Sequence, residues 1–273
     1  KTLHPAVHGG ILGRRDSDTD MQTLFELGYA GIDLVCVNLY PFEETAAREP
    51  PASDQELIEM IDIGGPPMVR SAAKNHSDVI VLTSPEQYPS VLESLSGANG
   101  DPSGVDNATR QSLALAAYQS TAAYDAAVSN ELENRFAGHD VPSRIHVSSG
   151  PGSQLRYGEN PHQSAASYVM PGNREPNILN ATIHQGKKLS YNNIMDADGA
   201  LACVREFEET ACVVVKHANP CGVAIGENLL DVYERAFNAD SLSAFGGIIA
   251  FNRDCTDEVA KTITDVFVEI VLA

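Results

Sequence analysis

Apolar positions in the first half of the chain alternate between short continuous runs and stretches with helical spacing. Residues 31–38 (GIDLVCVN) and 78–83 (DVIVLT) are continuous and β-branched, the pattern of strands buried on both faces. Between them, residues 54–61 read as a helix. The Ile63-Gly64-Gly65-Pro66-Pro67 break follows, then a second helix through Asn75. Pro85 can open a further helix at its first position. Residues 94–106, rich in Gly, Ser, Asn and Asp, read as a loop. Over 107–136, Leu113, Ala117, Tyr124, Val128, Leu132 and Phe136 recur at intervals of three, four or seven, which predicts one long helix.

Residues 138–158 are dense in Gly, Pro and Ser, and a domain boundary is placed near residue 145, giving domains over 1–145 and 146–273. The second half predicts strands at 165–170, 212–216, 222–225, 247–251 and 266–272, with helices at 194–208, 229–239 and 256–264. Alternating strands and helices imply an α/β fold with parallel or mixed sheets in both halves.

Composition narrows the function classes. The 273 residues are 43% hydrophobic and 20% charged, within the globular range. Lys plus Arg is 18 against 37 Asp plus Glu, a net charge of −19, which disfavours nucleic acid and anionic membrane surfaces as partners. Cations for an anionic substrate must therefore be local, and the chain has only six lysines. Five dispersed cysteines without a C-x-x-C pair argue against a disulfide framework or zinc ribbon and fit a reducing, cytoplasmic compartment. No apolar run is long enough to span a bilayer.

Several segments carry candidate chemistry. In residues 62–76, a glycine pair lets backbone approach a ligand, and Arg70 and Lys74 share a helical face. This suits an anion or a polar ring; a solvated charged face accounts for the same spacing. Asn38-Leu39-Tyr40-Pro41 and Lys1-Thr2-Leu3-His4-Pro5 put polar groups beside turn signals, although Tyr40 taken alone fits a packed core better than a site. The run 212–222 delivers Lys216 and His217 to a strand end, where the ammonium would keep the imidazole neutral and able to accept a proton; a solvated lysine beside a capping histidine fits the same pattern equally well. The same run parallels the zinc-deaminase signature, but Asn219 stands where the catalytic Glu belongs and no second cysteine follows Cys221. It cannot supply three ligands, so zinc is not expected. Arg156-Tyr157 and Phe245-Gly246-Gly247 are weaker indications.

Together, KTLHP at 1–5, NLYPF at 38–42, DIGG and SAAKNH within 62–76, RYGENPHQ at 156–163, SYNN at 190–193, VKHANPCG at 215–222 and SAFGG at 243–247 resemble the bifunctional AICAR formyltransferase/IMP cyclohydrolase family of purine biosynthesis. (AICAR is phosphoribosylaminoimidazolecarboxamide and IMP is inosine monophosphate.) The resemblance implies a methylglyoxal-synthase-like, Rossmann-type three-layer cyclohydrolase domain, then the first part of a cytidine-deaminase-like formyltransferase domain without its metal. It implies formyl transfer from the co-substrate 10-formyltetrahydrofolate to AICAR, then dehydrative closure of formyl-AICAR to IMP. A homodimer, and a potassium site with ligands outside these residues, are implied as well.

By this resemblance Lys74 is the proton donor and acceptor in ring closure, Lys1 and Tyr40 polarise the formyl oxygen, and Asp62 orients the carboxamide. Thr2, Val37, Asn38, Ile63 and Gly64 line the nucleotide. His217 is the base that removes the amine proton, and Lys216 steadies the developing oxyanion. Arg156, Tyr157, Asn193 and Gly246 contact AICAR, and Glu269 holds its amine.

The chain opens on Lys1 and closes in a strand-like run, so it reads as an internal segment of a longer protein. On that reading the family's phosphate-gripping loop precedes Lys1, later substrate contacts follow Ala273, and both activities are expected to be impaired in these residues alone. The rival readings are a methylglyoxal-synthase-like module that senses a nucleotide or phosphate without catalysis, and a zinc-dependent deaminase-like hydrolase.

Overall fold

A computed structural model describes residues 2–138, 141–170 and 175–273, and the chain divides into two compact units, Lys1–Ser148 and Ser149–Ala273. In the first, helices α1 (Pro5–Leu12) and α2 (Asp18–Leu27) precede strand β1 (Leu34–Cys36). Helices α3 (Phe42–Ala46), α4 (Asp54–Glu59) and α5 (Gly65–Lys74) lead to strand β2 (Ile80–Leu82), which pairs parallel with β1. Helices α6 (Tyr88–Gly97) and α7 (Asn107–Phe136) complete the unit. Its core joins Val35 and Val79 to Leu82 with Ile11, Val69, Ala72, Val91, Leu113 and Ala117.

Two expectations need correction here. Strand β1 is shorter than the run 31–38 and is not buried on both faces: only Val35 is, while Leu34 and Cys36 are exposed. Among the described residues β1 pairs along one edge only, so a continuous apolar run overstates its burial. Residues 94–106 are not all loop either. Helix α6 continues to Gly97, and a 3-10 turn at Pro102–Gly104 is tied to α7 by Arg110, whose Nε donates to the Val105 carbonyl at 2.9 Å.

In the second unit, β3 (Ser153–Gln154) and β4 (Ala166–Ser167) form a small antiparallel pair, shorter than the strand expected at 165–170. Helix α8 (Tyr191–Val204) begins earlier than expected because Ser190 and Asn193 form a reciprocal capping box. A four-stranded sheet follows in the order β6-β5-β7-β8, from β5 (Thr210–Lys216), β6 (Asn219–Gly226), β7 (Ile248–Phe251) and β8 (Ile270–Leu272). Only β7 and β8 are parallel. Residues 266–269, expected in the last strand, lie before it. Helices α9 (Leu229–Ala239), α10 (Ser241–Ala244) and α11 (Asp257–Ile263) connect these strands.

The alternation of β5 builds both layers of core. Cys212 and Val214 face Val232, Tyr233, Ala236, Val259 and Ile263, while Ala211, Val213 and Val215 face Ala197, Ala200 and Val204 of α8. All five are fully buried, and each buried valine is worth about 1.5–3 kcal/mol. The two cores make a helix–sheet–helix sandwich whose central strand ends at Lys216.

Candidate active site

In the second unit the end of β5 turns sharply. Lys216 pairs with Asn219, so His217 and Ala218 alone form the hairpin loop. Their φ angles are 55° and 58°, both left-handed. A two-residue type I′ turn demands this, but Asn-Gly ordinarily supplies it; an L residue with a Cβ pays about 1–2 kcal/mol at each such position. The exposed imidazole of His217 thus sits on strained backbone, a condition that clusters at functional sites.

Beside this turn, the half-buried Lys216 donates through Nζ to the Gly246 carbonyl at 2.6 Å. Gly246 has φ 65°, and a Cβ there would lie 3.3 Å from both Lys216 Nζ and the Phe267 ring, so a side chain at this position would be both strained and crowded. Its N–H donates to the Phe267 carbonyl at 2.8 Å, and the Glu269 N–H donates to the Gly247 carbonyl at 3.0 Å. Glu269 Oε2 in turn accepts from Asn193 Nδ2 at 2.6 Å. Arg156 donates to Asn193 Oδ1 at 3.4 Å and to the Tyr157 hydroxyl at 3.1 Å, with its guanidinium 4.8 Å from the Tyr157 ring centre. Arg156, Tyr157, Asn193 and Glu269 therefore form one connected polar cluster, and the 246–247 backbone links it to Lys216.

In the first unit the contacts are looser. Lys1 lies outside the described residues. Thr2 packs so closely on Gly64 that any Cβ there would collide with its hydroxyl. Leu39 lies against Gly65, which brings the segment holding Asn38 and Tyr40 beside 62–65. Asp62 Oδ1 accepts the Gly65 N–H at 2.8 Å, and the Asp62 N–H donates to the Tyr124 hydroxyl at 2.7 Å. Burial raises the Tyr124 pKa, so the phenol keeps the proton it donates to the Met60 carbonyl at 3.0 Å. Val37 packs on the core, and Asn38 Oδ1 accepts from the Tyr88 hydroxyl at 3.2 Å. Tyr40 and Ile63 are 54% and 64% exposed, so Tyr40 is not a core tyrosine.

Lys74 is exposed at the end of α5. Among the described residues no side-chain hydrogen bond or ion pair holds Lys74. Arg70, on the same helix, stands 5.3 Å from the Tyr118 ring centre. Among the described residues no group of three or more His, Cys, Asp or Glu side chains is placed to hold a metal ion, and no helix is long and apolar enough to cross a membrane.

Sequence reasoning did not single out Tyr124, Phe267 or Asp196, whose carboxylate accepts the Ala218 N–H at 2.8 Å. Tyr124 lay in the apolar stripe of α7 and read as core. The other two act through backbone groups and leave no motif.

The fold is a mixed α/β protein with polar side chains gathered at the end of a buried central strand. The family described as the AICARFT/IMPCHase bienzyme matches residues 72–273, and the chain belongs to this family of purine-biosynthesis enzymes. A solved structure titled "Crystal structure of ForH" is 38% identical, over 48% of this chain and 66% of that one, with a TM-score of 0.42. The matched part is thus under two thirds of that relative's length.

Proposed function

We propose that the protein catalyses formyl transfer from 10-formyltetrahydrofolate to the 5-amino group of AICAR, then ring closure of formyl-AICAR to IMP. The observation that carries this reading is the Lys216-His217 strand end beside the Arg156–Asn193–Glu269 cluster. In the transfer step the AICAR amine attacks the formyl carbon and His217 takes the amine proton. The Lys216 ammonium has two N–H donors left after its bond to Gly246, and these meet the oxyanion. Collapse breaks the bond to the folate nitrogen, which leaves protonated as tetrahydrofolate. Arg156, Tyr157 and Asn193 hold the AICAR nucleotide, Gly246 lets it approach the backbone, and Glu269 holds the amine.

In ring closure the carboxamide nitrogen attacks the formyl carbon and water is lost. Asp62 orients the carboxamide, Lys1 and Tyr40 polarise the formyl oxygen, and Thr2, Val37, Asn38, Ile63 and Gly64 line the nucleotide. Lys74 moves the proton. The folate co-substrate follows from the family; the homodimer, the potassium site and the cytoplasmic setting belong to the proposal.

The test separates the two steps in the full-length protein. His217→Ala should lower formyl transfer by about 10²–10⁴-fold while supplied formyl-AICAR still closes. Lys74→Ala should do the reverse and let formyl-AICAR accumulate. Equal loss of both activities in either variant would show that the residue serves folding instead.

A further inference from the structure

We propose that Asp196 is a positioning residue for formyl transfer: its carboxylate clamps the strained His217-Ala218 turn and so determines where the His217 ring stands. The catalytic part of this inference rests on the proposal that His217 takes the amine proton; the clamp itself rests on geometry alone. The hairpin loop has only two residues, both left-handed, and neither is glycine. Such a turn persists only where its surroundings over-determine it.

Two hydrogen bonds do so. Asn219 Nδ2 donates to the His217 carbonyl at 2.8 Å, a contact within the hairpin itself. The Ala218 N–H donates to Asp196 Oδ1, also at 2.8 Å, and this one comes from another element, α8. An ionised acceptor makes it the stronger of the two. Gly199, further along α8, lies beneath the Ala218 carbonyl, so the helix also meets the turn by packing.

The placement on α8 is what joins this clamp to the substrate cluster. Asp196 follows Asn193 by three residues, so the two lie on one helical face. Asn193 reaches Glu269 and Arg156 while Asp196 reaches the turn. The Ser190 capping box anchors the start of the same helix. One rigid element thereby spaces the base from the groups assigned to the amine and the nucleotide. Among the described residues Asp196 has no ion-pair partner, so its carboxylate serves the backbone N–H and not a cation.

The experiment compares Asp196→Ala, Asp196→Asn and the double variant Asp196→Ala/Ala218→Gly in the full-length protein. It follows formyl-transfer kinetics and, by NMR, hydrogen exchange at the Ala218 amide. Misplacing a reacting group by about 1 Å can cost on the order of 100-fold. Asp196→Ala should therefore lower kcat by roughly 30- to 100-fold with KM for AICAR within about threefold, and Ala218 exchange should quicken at least tenfold. Asp196→Asn keeps an acceptor oxygen and should recover most of the loss. Glycine at 218 relieves the left-handed strain, so the double variant should recover part of kcat even without the carboxylate.

Unchanged kcat in Asp196→Ala, or a loss that neither second variant recovers, would overturn the positioning role. Unchanged Ala218 exchange would overturn the clamp. If the unaltered protein transfers no formyl group, the functional reading falls and takes the positioning role with it, while exchange at Ala218 still decides the clamp.

Discussion

In residues 149–273 the proposed catalytic groups are held by one another: Arg156 by Asn193, Asn193 by Glu269, Lys216 by Gly246. In the first unit they are held by scaffold, as Asp62 is by the Gly65 N–H and Tyr124, or stand exposed, as Tyr40 and Lys74 do. The difference follows from the sheets. The central strand β5 is sealed on both faces and ends in the polar cluster, so its end is a rigid platform. The two-stranded sheet of the first unit buries β2 fully but only one residue of β1, and its neighbouring loops carry the proposed residues. Sealing, more than local sequence, decides how far a site is preorganised.

Thiol chemistry tests that contrast with the largest expected effect. Burial pushes the Cys212 thiol up to about 12, leaving roughly one part in ten thousand as thiolate at pH 8, while Cys36 is exposed at the edge of β1. Alkylation of native protein followed by mass spectrometry should label Cys36 at least 10³-fold faster than Cys212. Comparable rates would show that the central sheet opens.

Next, Lys216→Ala should reduce formyl transfer by about 10²–10³-fold with ring closure retained, since it removes a donor aimed at developing charge. A loss under fivefold would remove Lys216 from the oxyanion site. Tyr124→Phe should act on the other unit, leaving the Asp62 N–H and Met60 carbonyl short of a partner, at about 1–3 kcal/mol of stability by denaturant unfolding. It should slow ring closure and leave formyl transfer unaltered.

The smallest effect concerns Glu56, whose carboxyl is held down to about 2, first by the Ser53 N–H, then by its hydroxyl and Arg48. Its folded pKa lies below the unfolded value of 4.5, so its contribution is complete above that pH and is lost as pH falls towards 2. The melting temperatures of the wild type and Glu56→Gln should differ by about a degree at pH 7 and converge near pH 2. A gap that persists at pH 2 would place the effect elsewhere.

Much of this fold was legible where periodicity was long. Helix α7 and helix α9 occupy the residues their spacing predicts, because many apolar positions vote on one face. Helices α1 and α2 escaped notice: Gly9-Gly10 interrupts the first, and the second is mostly polar. Their caps did carry a signal, with Pro5 at the start of one, and Ser17 before and Gly28 after the other. The adjacent Lys216 and His217 were legible as a strand end, but the hairpin was not, since His-Ala lacks the Asn-Gly signature of its turn type. Nor could any spacing show how Asp62 is held, because its partner Tyr124 lies 62 residues away on α7.

Burying β5 on both faces has a further consequence, for folding fidelity. A strand with one wet face resists a one-residue slip, since every apolar side chain would turn outward. Here Ala211 to Val215 are apolar without interruption, and a slipped strand would lose little burial on either side. Hydrophobicity cannot by itself choose which residue arrives at the turn. The choice falls to the irregularity between Val214 and Val215, where Val214 faces Gly222 but Val215 faces Pro220, and to the tight loop beyond it.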